Sequence, residues 1–231
     1  MPRTRSSLRA NARTPVKAPR AAPSPRRPRR TQESRSRAAR ERLLRAALEV
    51  LLERGYNGFT TKEVSVRAGF SNGALMHHYR TKADLAIAAG AHIYDQCIES
   101  GRRIASSPAA RKNPLRAFIA DCTNVYLGWP FIAALEILMT ARTDPMINAQ
   151  FDGVMKNYRR TMNEIWLSAF MRSGMSKEDA SFLIMSTLNL IRGMGINSLW
   201  QKNVPYYKKM LREWERLARK GSLKGARADI R

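Results

Sequence analysis

Acidic residues are scarce in this chain of 231 residues: 18 Asp and Glu stand against 42 Lys and Arg, a formal charge of +24. Cysteine is scarcer still, at two, with no CxxC spacing. That excludes a disulfide framework or a Cys-rich metal site and fits buried free thiols in a reducing cytoplasm, a Cys97–Cys122 bridge being the alternative. No run of about 18 apolar residues occurs, the best candidates being broken by Glu136 or by Asn189 and Arg192, so no membrane span is expected. Alternating strand patterns and internal repeats are also missing, which excludes sheet folds and solenoids. No phosphate loop, clustered carboxylates or nucleophile–base pair stands at recognisable spacing, so neither an enzyme nor a cofactor is expected.

The basic excess points to a polyanionic partner, nucleic acid or an anionic membrane surface. It is unevenly placed. Residues 1–40 hold 13 Lys and Arg against Glu33 alone, so half of the excess lies in about a sixth of the chain. This segment also holds six of the eleven prolines and few large apolar residues, too few to offset the entropy of ordering it. It reads as a basic arm, serving phosphate contact or solubility, or marking an overextended start.

The remaining chain reads as helical. Leu43, Ala47, Val50 and Leu51 share one face of a first helix, with Gly55 suited to the left-handed position after its last turn. Thr81–Asp84 has a cap pattern before a long helix bearing Leu85, Ala88, Ala91, Tyr94, Ile98 and Ile104 along one side. Pro114 opens another helix, Gly128-Trp129-Pro130 interrupts it, and helices follow over 131–139 and 145–170. Ser176 caps one running to about Trp200, and Pro205 starts the last.

The most informative stretch is TTKEVSVRAGFSNGALMHHY, residues 60–79. Thr60 or Thr61 suits the cap of a helix that turns Val64 and Ala68 inward. Gly69 suits a sharp turn, and Ser71 caps a second short helix with Leu75 and Tyr79 inward. The outward face then carries Asn72, Gly73, Ala74, Met76, His77 and His78, small or polar groups suited to a major groove. Lys62 and Lys82 project at helix starts. His77 and His78 point about 100° apart on a helix, which makes a poor metal pair.

Taken together, LLRAALEVLLERGYNGFTTKEVSVRAGFSNGALMHHYRTKADL, residues 43–85, closely resembles the DNA-binding domain of the TetR family of bacterial transcriptional regulators. The matching elements are Ala46-Ala47, Gly55-Tyr56, Thr60-Thr61, Ala68-Gly69, Ser71, Gly73, Leu75, His78, Tyr79 and Lys82. The resemblance implies an all-α homodimer whose recognition helices enter successive major grooves of a near-palindromic double-stranded DNA operator. Thr61, Lys82 and helix-start backbone would position phosphates, and Lys62, Asn72, Gly73, Ala74, His77 and His78 would meet bases or sugars. Where the family commonly has Tyr, this chain has Met76, which has no hydroxyl for phosphate.

The implied organisation is a disordered basic arm over 1–34, a helix-turn-helix domain over 35–83, a helical ligand-binding and dimerisation domain over 84–220, and a flexible tail over 221–231. An unknown small-molecule effector would bind among Tyr94, Cys97, Phe118, Cys122, Tyr126, Phe131, Met139, Met155 and Tyr158, residues that serve equally as plain core. Arg192, set in an apolar helix, is expected to pair with Glu136 or Asp121, to bind an acidic ligand or to reach the dimer edge, pairing being favoured. Leu188, Ile191, Trp200, Tyr207, Leu211 and Trp214 are expected at a dimer interface built as a four-helix bundle. The function expected is a ligand-released repressor. The alternative is an effector-independent nucleic-acid-coating protein driven by the arm, and a membrane-surface role stands third.

Overall fold

The computed structural model describes residues 32–219, and the arm before them and the tail after them lie outside the described residues. The described residues form ten helices and no strand. The first is α1 (Gln32–Gly58), so the helix begins inside the segment read as arm. Leu43, Ala46, Ala47, Val50 and Leu51 are buried on it, as their spacing requires. Gly55 has φ 62° and ψ 177°. The positive φ was expected, but ψ is extended and not left-handed helical, a region essentially reserved for glycine. The break re-aims the chain through a last turn to Phe59, which is fully buried.

Two short helices follow, α2 (Thr61–Ala68) and α3 (Asn72–His78). Between them Gly69 takes the left-handed conformation, φ 70° and ψ 40°, and its N–H closes onto the last carbonyls of α2. Val64 and Leu75 are fully buried, while Tyr79 is half-buried at the end of α3.

The rest consists of α4 (Lys82–Ala105), α5 (Pro108–Lys112), α6 (Pro114–Tyr126), α7 (Trp129–Ala141), α8 (Pro145–Arg172), α9 (Lys177–Asn197) and α10 (Val204–Arg219). Thr81 and Asp84 form a reciprocal capping box at the start of α4. The buried side of α4 is broader than its sequence spacing suggests: Ala86, Ile87, Ala89, Gly90, Ile93, Cys97 and Gly101 are covered, whereas Ala88 and Ala91 are only half-buried. Helices on several sides explain this, since α4 packs on α1, α6, α7 and α8. The single turn of α5 was not expected from sequence. Pro130 lies in the first turn of α7 and does not end it, because the missing N–H costs nothing there.

Among the described residues no single helix is long and apolar enough to cross a membrane. Helices α6 and α7 reach that length and composition together but are bent by 58°. Cys97 and Cys122 are buried free thiols, and burial pushes the Cys97 thiol up to about 11.

Candidate nucleic-acid interface and ligand chamber

Two arginines fix α2 and the turn after it relative to α1. Arg42 on α1 donates to the Ala68 carbonyl at 2.6 Å, and its guanidinium lies 4.9 Å from the centre of the Phe70 ring. Arg67 on α2 meets Glu53 through two parallel bonds of 2.7 Å, with Glu63 at 3.5 Å and Glu49 at 4.0 Å. The bidentate geometry holds α2 against α1, raises the Arg67 pKa and lowers that of Glu53. Apart from the Glu63–Arg67 pair, four residues apart on α2, these ties are not visible in the short-range pattern, because their partners stand 14 to 26 residues apart.

At the start of α2, Thr60 is the cap: its hydroxyl accepts from the Glu63 N–H at 3.2 Å. Thr61 is half-buried and Lys62 exposed. At the start of α3 the Ser71 hydroxyl accepts from the Ala74 N–H at 3.1 Å. Asn72, Gly73, Ala74 and His77 are exposed beside it, and Met76 is 38% exposed. These residues share one outward surface.

His78, Tyr79 and Lys82 depart from that surface in part. His78 is half-buried, and burial, then the Arg40 charge and His77, pull its pKa down, which favours a neutral ring near pH 7. Lys82 is drawn back over the Tyr56 ring, 4.4 Å from its centre, with its Nζ 3.4 Å from the Asn57 carbonyl oxygen. Burial lowers its pKa. Arg40, exposed on α1 close enough to act on His78 and Tyr79, belongs with this surface and was missed in the sequence. Its only sequence signal was membership of the basic segment. Among the described residues no group of three His, Cys, Asp or Glu is placed to hold a metal ion.

A second site lies between α4, α6, α7, α8 and α9. Two adjoining cavities, of about 290 Å³ and about 410 Å³, share Val125, Tyr126, Tyr158, Arg159 and Arg192 as common wall. Phe118 and Cys122 line the smaller; Tyr94, Phe131 and Met155 line the larger. Cys97 is buried outside both, and Met139 faces solvent at the far side of α7, so neither belongs to the lining. The α-helical period explains Met139: it lies one residue past Leu138, which does line the chamber.

Arg192 does not pair with either acid expected of it. Glu136 instead accepts the Tyr56 N–H at 3.0 Å, and Asp121 accepts the Trp166 indole N–H at 2.9 Å. Arg192 donates to the Tyr126 hydroxyl at 3.1 Å and lies over that ring. Burial raises the pKa of both the Tyr126 and the Tyr158 phenols. Asp121 is 2% exposed, and burial, opposed by the Trp166 bond, lifts its carboxyl to about 6.

On α9 and α10 the expected interface residues divide. Ile191, Tyr207 and Leu211 fill the core of the protomer. Leu188 and Trp214 are half-buried, Trp214 donating to Thr187 at 2.8 Å, whereas Trp200 is 72% exposed. Met185, Leu199, Val204, Tyr206 and Leu217 add exposed apolar surface.

With this geometry in place, residues 43–89 match the model of the "Bacterial regulatory proteins, tetR family". Over these residues the chain carries the DNA-binding domain of the TetR family of transcriptional regulators. The regulator CymR of Pseudomonas putida is 29% identical over 191 residues, covering 83% of this chain and 94% of its own length. A transcriptional regulator from Rhodococcus sp. Rha1 shares the fold, with a TM-score of 0.61 at 20% identity over 79% of this chain and 96% of the other. A putative regulator of Saccharomonospora viridis, solved with choline, gives 0.61 at 18% identity over 78% and 95%. Like these solved structures, the chain joins an N-terminal helix-turn-helix to a helical C-terminal body.

Proposed function

We propose that this TetR-family regulator is a homodimeric repressor that occupies a near-palindromic operator and leaves it when a small molecule enters the chamber. The observation that carries the reading is that the same helices serve both ends. Helices α4 and α7 wall the larger cavity and also pack directly on α1, which bears the reading unit. A ligand that fits one orientation of these helices better than another shifts the population of reading-competent molecules; one that fits both equally shifts nothing.

In the proposed complex α3 enters the major groove with Asn72, Gly73, Ala74 and His77 toward base edges. Thr60, Thr61, Lys62, Ser71 and Lys82 lie along the phosphates, and Met76 packs on a sugar or thymine methyl. Dimerisation through α9 and α10 would cover the apolar surface of Met185, Leu199, Trp200, Tyr206 and Leu217 and set the two α3 helices roughly 34 Å apart. The reading unit is taken as 35–83 and the effector and dimer unit as 84–220, in the cytoplasm.

The test is selection of bound fragments from a random DNA pool, followed by anisotropy with the selected duplex and sedimentation of the free protein. A two-fold symmetric site and a dimer are expected. Removing residues 1–31 should weaken binding and flatten its salt dependence while leaving site preference intact. Loss of all DNA binding on that deletion would instead favour a coating protein driven by the arm.

A further inference from the structure

The chamber has an unusual electrostatic imbalance. Arg159 and Arg192 lie on the wall common to both cavities, and Arg160 lines the smaller one. Among the described residues none of the three has a carboxylate within ion-pair distance: Arg160 reaches only Asn157 Oδ1 at 3.2 Å, and Arg192 only the Tyr126 hydroxyl. A guanidinium carries five N–H donors, so Arg192 keeps most of its capacity unspent at the edge of an apolar space. Around it stand Phe118, Tyr126, Phe131, Tyr158 and Trp166.

The acid present does not cancel this. Asp121 lines the smaller cavity, but one of its oxygens is engaged by the Trp166 indole, and burial disfavours its charged form. Tyr126 accepts from Arg192, so its own proton is left to donate to another oxygen. Guanidinium and phenol thus converge on one spot as donors.

We infer that the chamber takes an anionic amphiphile, a carboxylate held by Arg192 and Tyr126 with Arg159 at the rim, its apolar body lying along the aromatic wall. This rests on the effector reading above and names the ligand class for that site. The body is either a flat aromatic system or an acyl chain, both of which suit apolar cavities of this size.

The experiment measures binding of matched probes to the full chain by the fluorescence of Trp166 at the wall. The aromatic set is 2-naphthoate, 2-naphthamide and 2-naphthylmethylamine; the acyl set is decanoate and decanamide. The carboxylate of at least one set should bind about tenfold or more tighter than its amide, as expected when a charge-assisted bond replaces a neutral one. The set that shows it identifies the body.

Arg192→Gln should erase the preference by weakening the carboxylate alone, and Arg192→Lys should retain part of it. Arg159→Gln, at an exposed position, gives a second reading if Arg192→Gln does not fold, and should reduce the preference by a few-fold. Equal binding of acid and amide, tighter binding of the amine, no binding of either carboxylate at millimolar concentration, or an unchanged preference in Arg192→Gln would overturn the inference. Release of the selected DNA is scored separately. Carboxylate binding without release keeps the anion site and sinks the effector reading, whereas release by the amides as strongly as by the acids does the reverse.

Discussion

Glu136, on the helix that walls the larger cavity, accepts a hydrogen bond from the main-chain N–H of Tyr56 at 3.0 Å. The contact spans 80 residues and joins the ligand chamber to the end of α1. Its neighbour Leu135 lines the chamber, so displacement of α7 by a ligand reaches the reading unit through this bond as well as through the packing of α7 on α1.

Glu136→Ala should therefore uncouple the two sites more than it weakens either. We expect DNA affinity within a few-fold of the parent, a smaller drop in that affinity on adding ligand, and a stability loss of about 1–2 kcal/mol from the orphaned N–H. Glu136→Gln, which keeps an acceptor, should restore most of the response. Anisotropy titrations with and without ligand, beside urea unfolding, measure both quantities.

Gly55→Ala tests the break in α1. An added Cβ would stand 2.9 Å from Glu136 Oε2 at a φ of 62°. Strain and crowding act together, and a loss of about 2–3 kcal/mol in urea unfolding is expected. A change below about 0.5 kcal/mol would mean that the backbone relaxes there freely.

Met76→Tyr restores a hydroxyl on the exposed face of α3. Affinity for the selected duplex should rise by about three- to tenfold with no change in salt slope, since a neutral phosphate bond releases no counterion. His77→Ala and Asn72→Ala should instead relax sequence preference, by about 1–3 kcal/mol at individual base pairs if those contacts are specific. Unaltered preference in both variants would remove α3 from the reading role.

Asp121 predicts a pH dependence of stability. Its folded pKa of about 6 lies above the ordinary aspartate value of 3.8, so between these values the folded state binds more protons than the unfolded one. Stability is lost as pH rises through this window, and the loss is complete above pH 6, at about 3 kcal/mol. Asp121→Asn retains an acceptor for Trp166 and should match the parent near pH 4 while exceeding it at pH 7. Equal stability of the two proteins at both pH values would contradict the buried, raised carboxyl.

The caps were legible because each is a local event: Thr60, Ser71, Thr81 and Ser176 sit three residues before the N–H they bind. Gly69 was legible for the same reason. The roles of Arg42, Arg192, Asp121 and Glu136 were not, because each depends on a partner from another helix. Sequence spacing correctly placed Tyr207 and Leu211 on the apolar stripe of α10, yet it could not say whether that stripe faces its own chain; in the protomer it does. For Lys82 the periodicity gave the position but not the Tyr56 ring that draws its ammonium back.

The clasp of Arg67 on Glu49, Glu53 and Glu63, with Arg42 closing the far end, ties α2 to α1, and with α3 packed on α2 the three helices act as one stiff piece. A stiff piece has no internal state for a ligand to alter. In the proposed dimer, the half-site sequence would then be written entirely on α3 and the response to ligand entirely in the spacing of two unchanging heads. The two properties become separable by splicing: exchanging residues 35–83 for another such head should redirect the protein to a new sequence while its inducer stays the same.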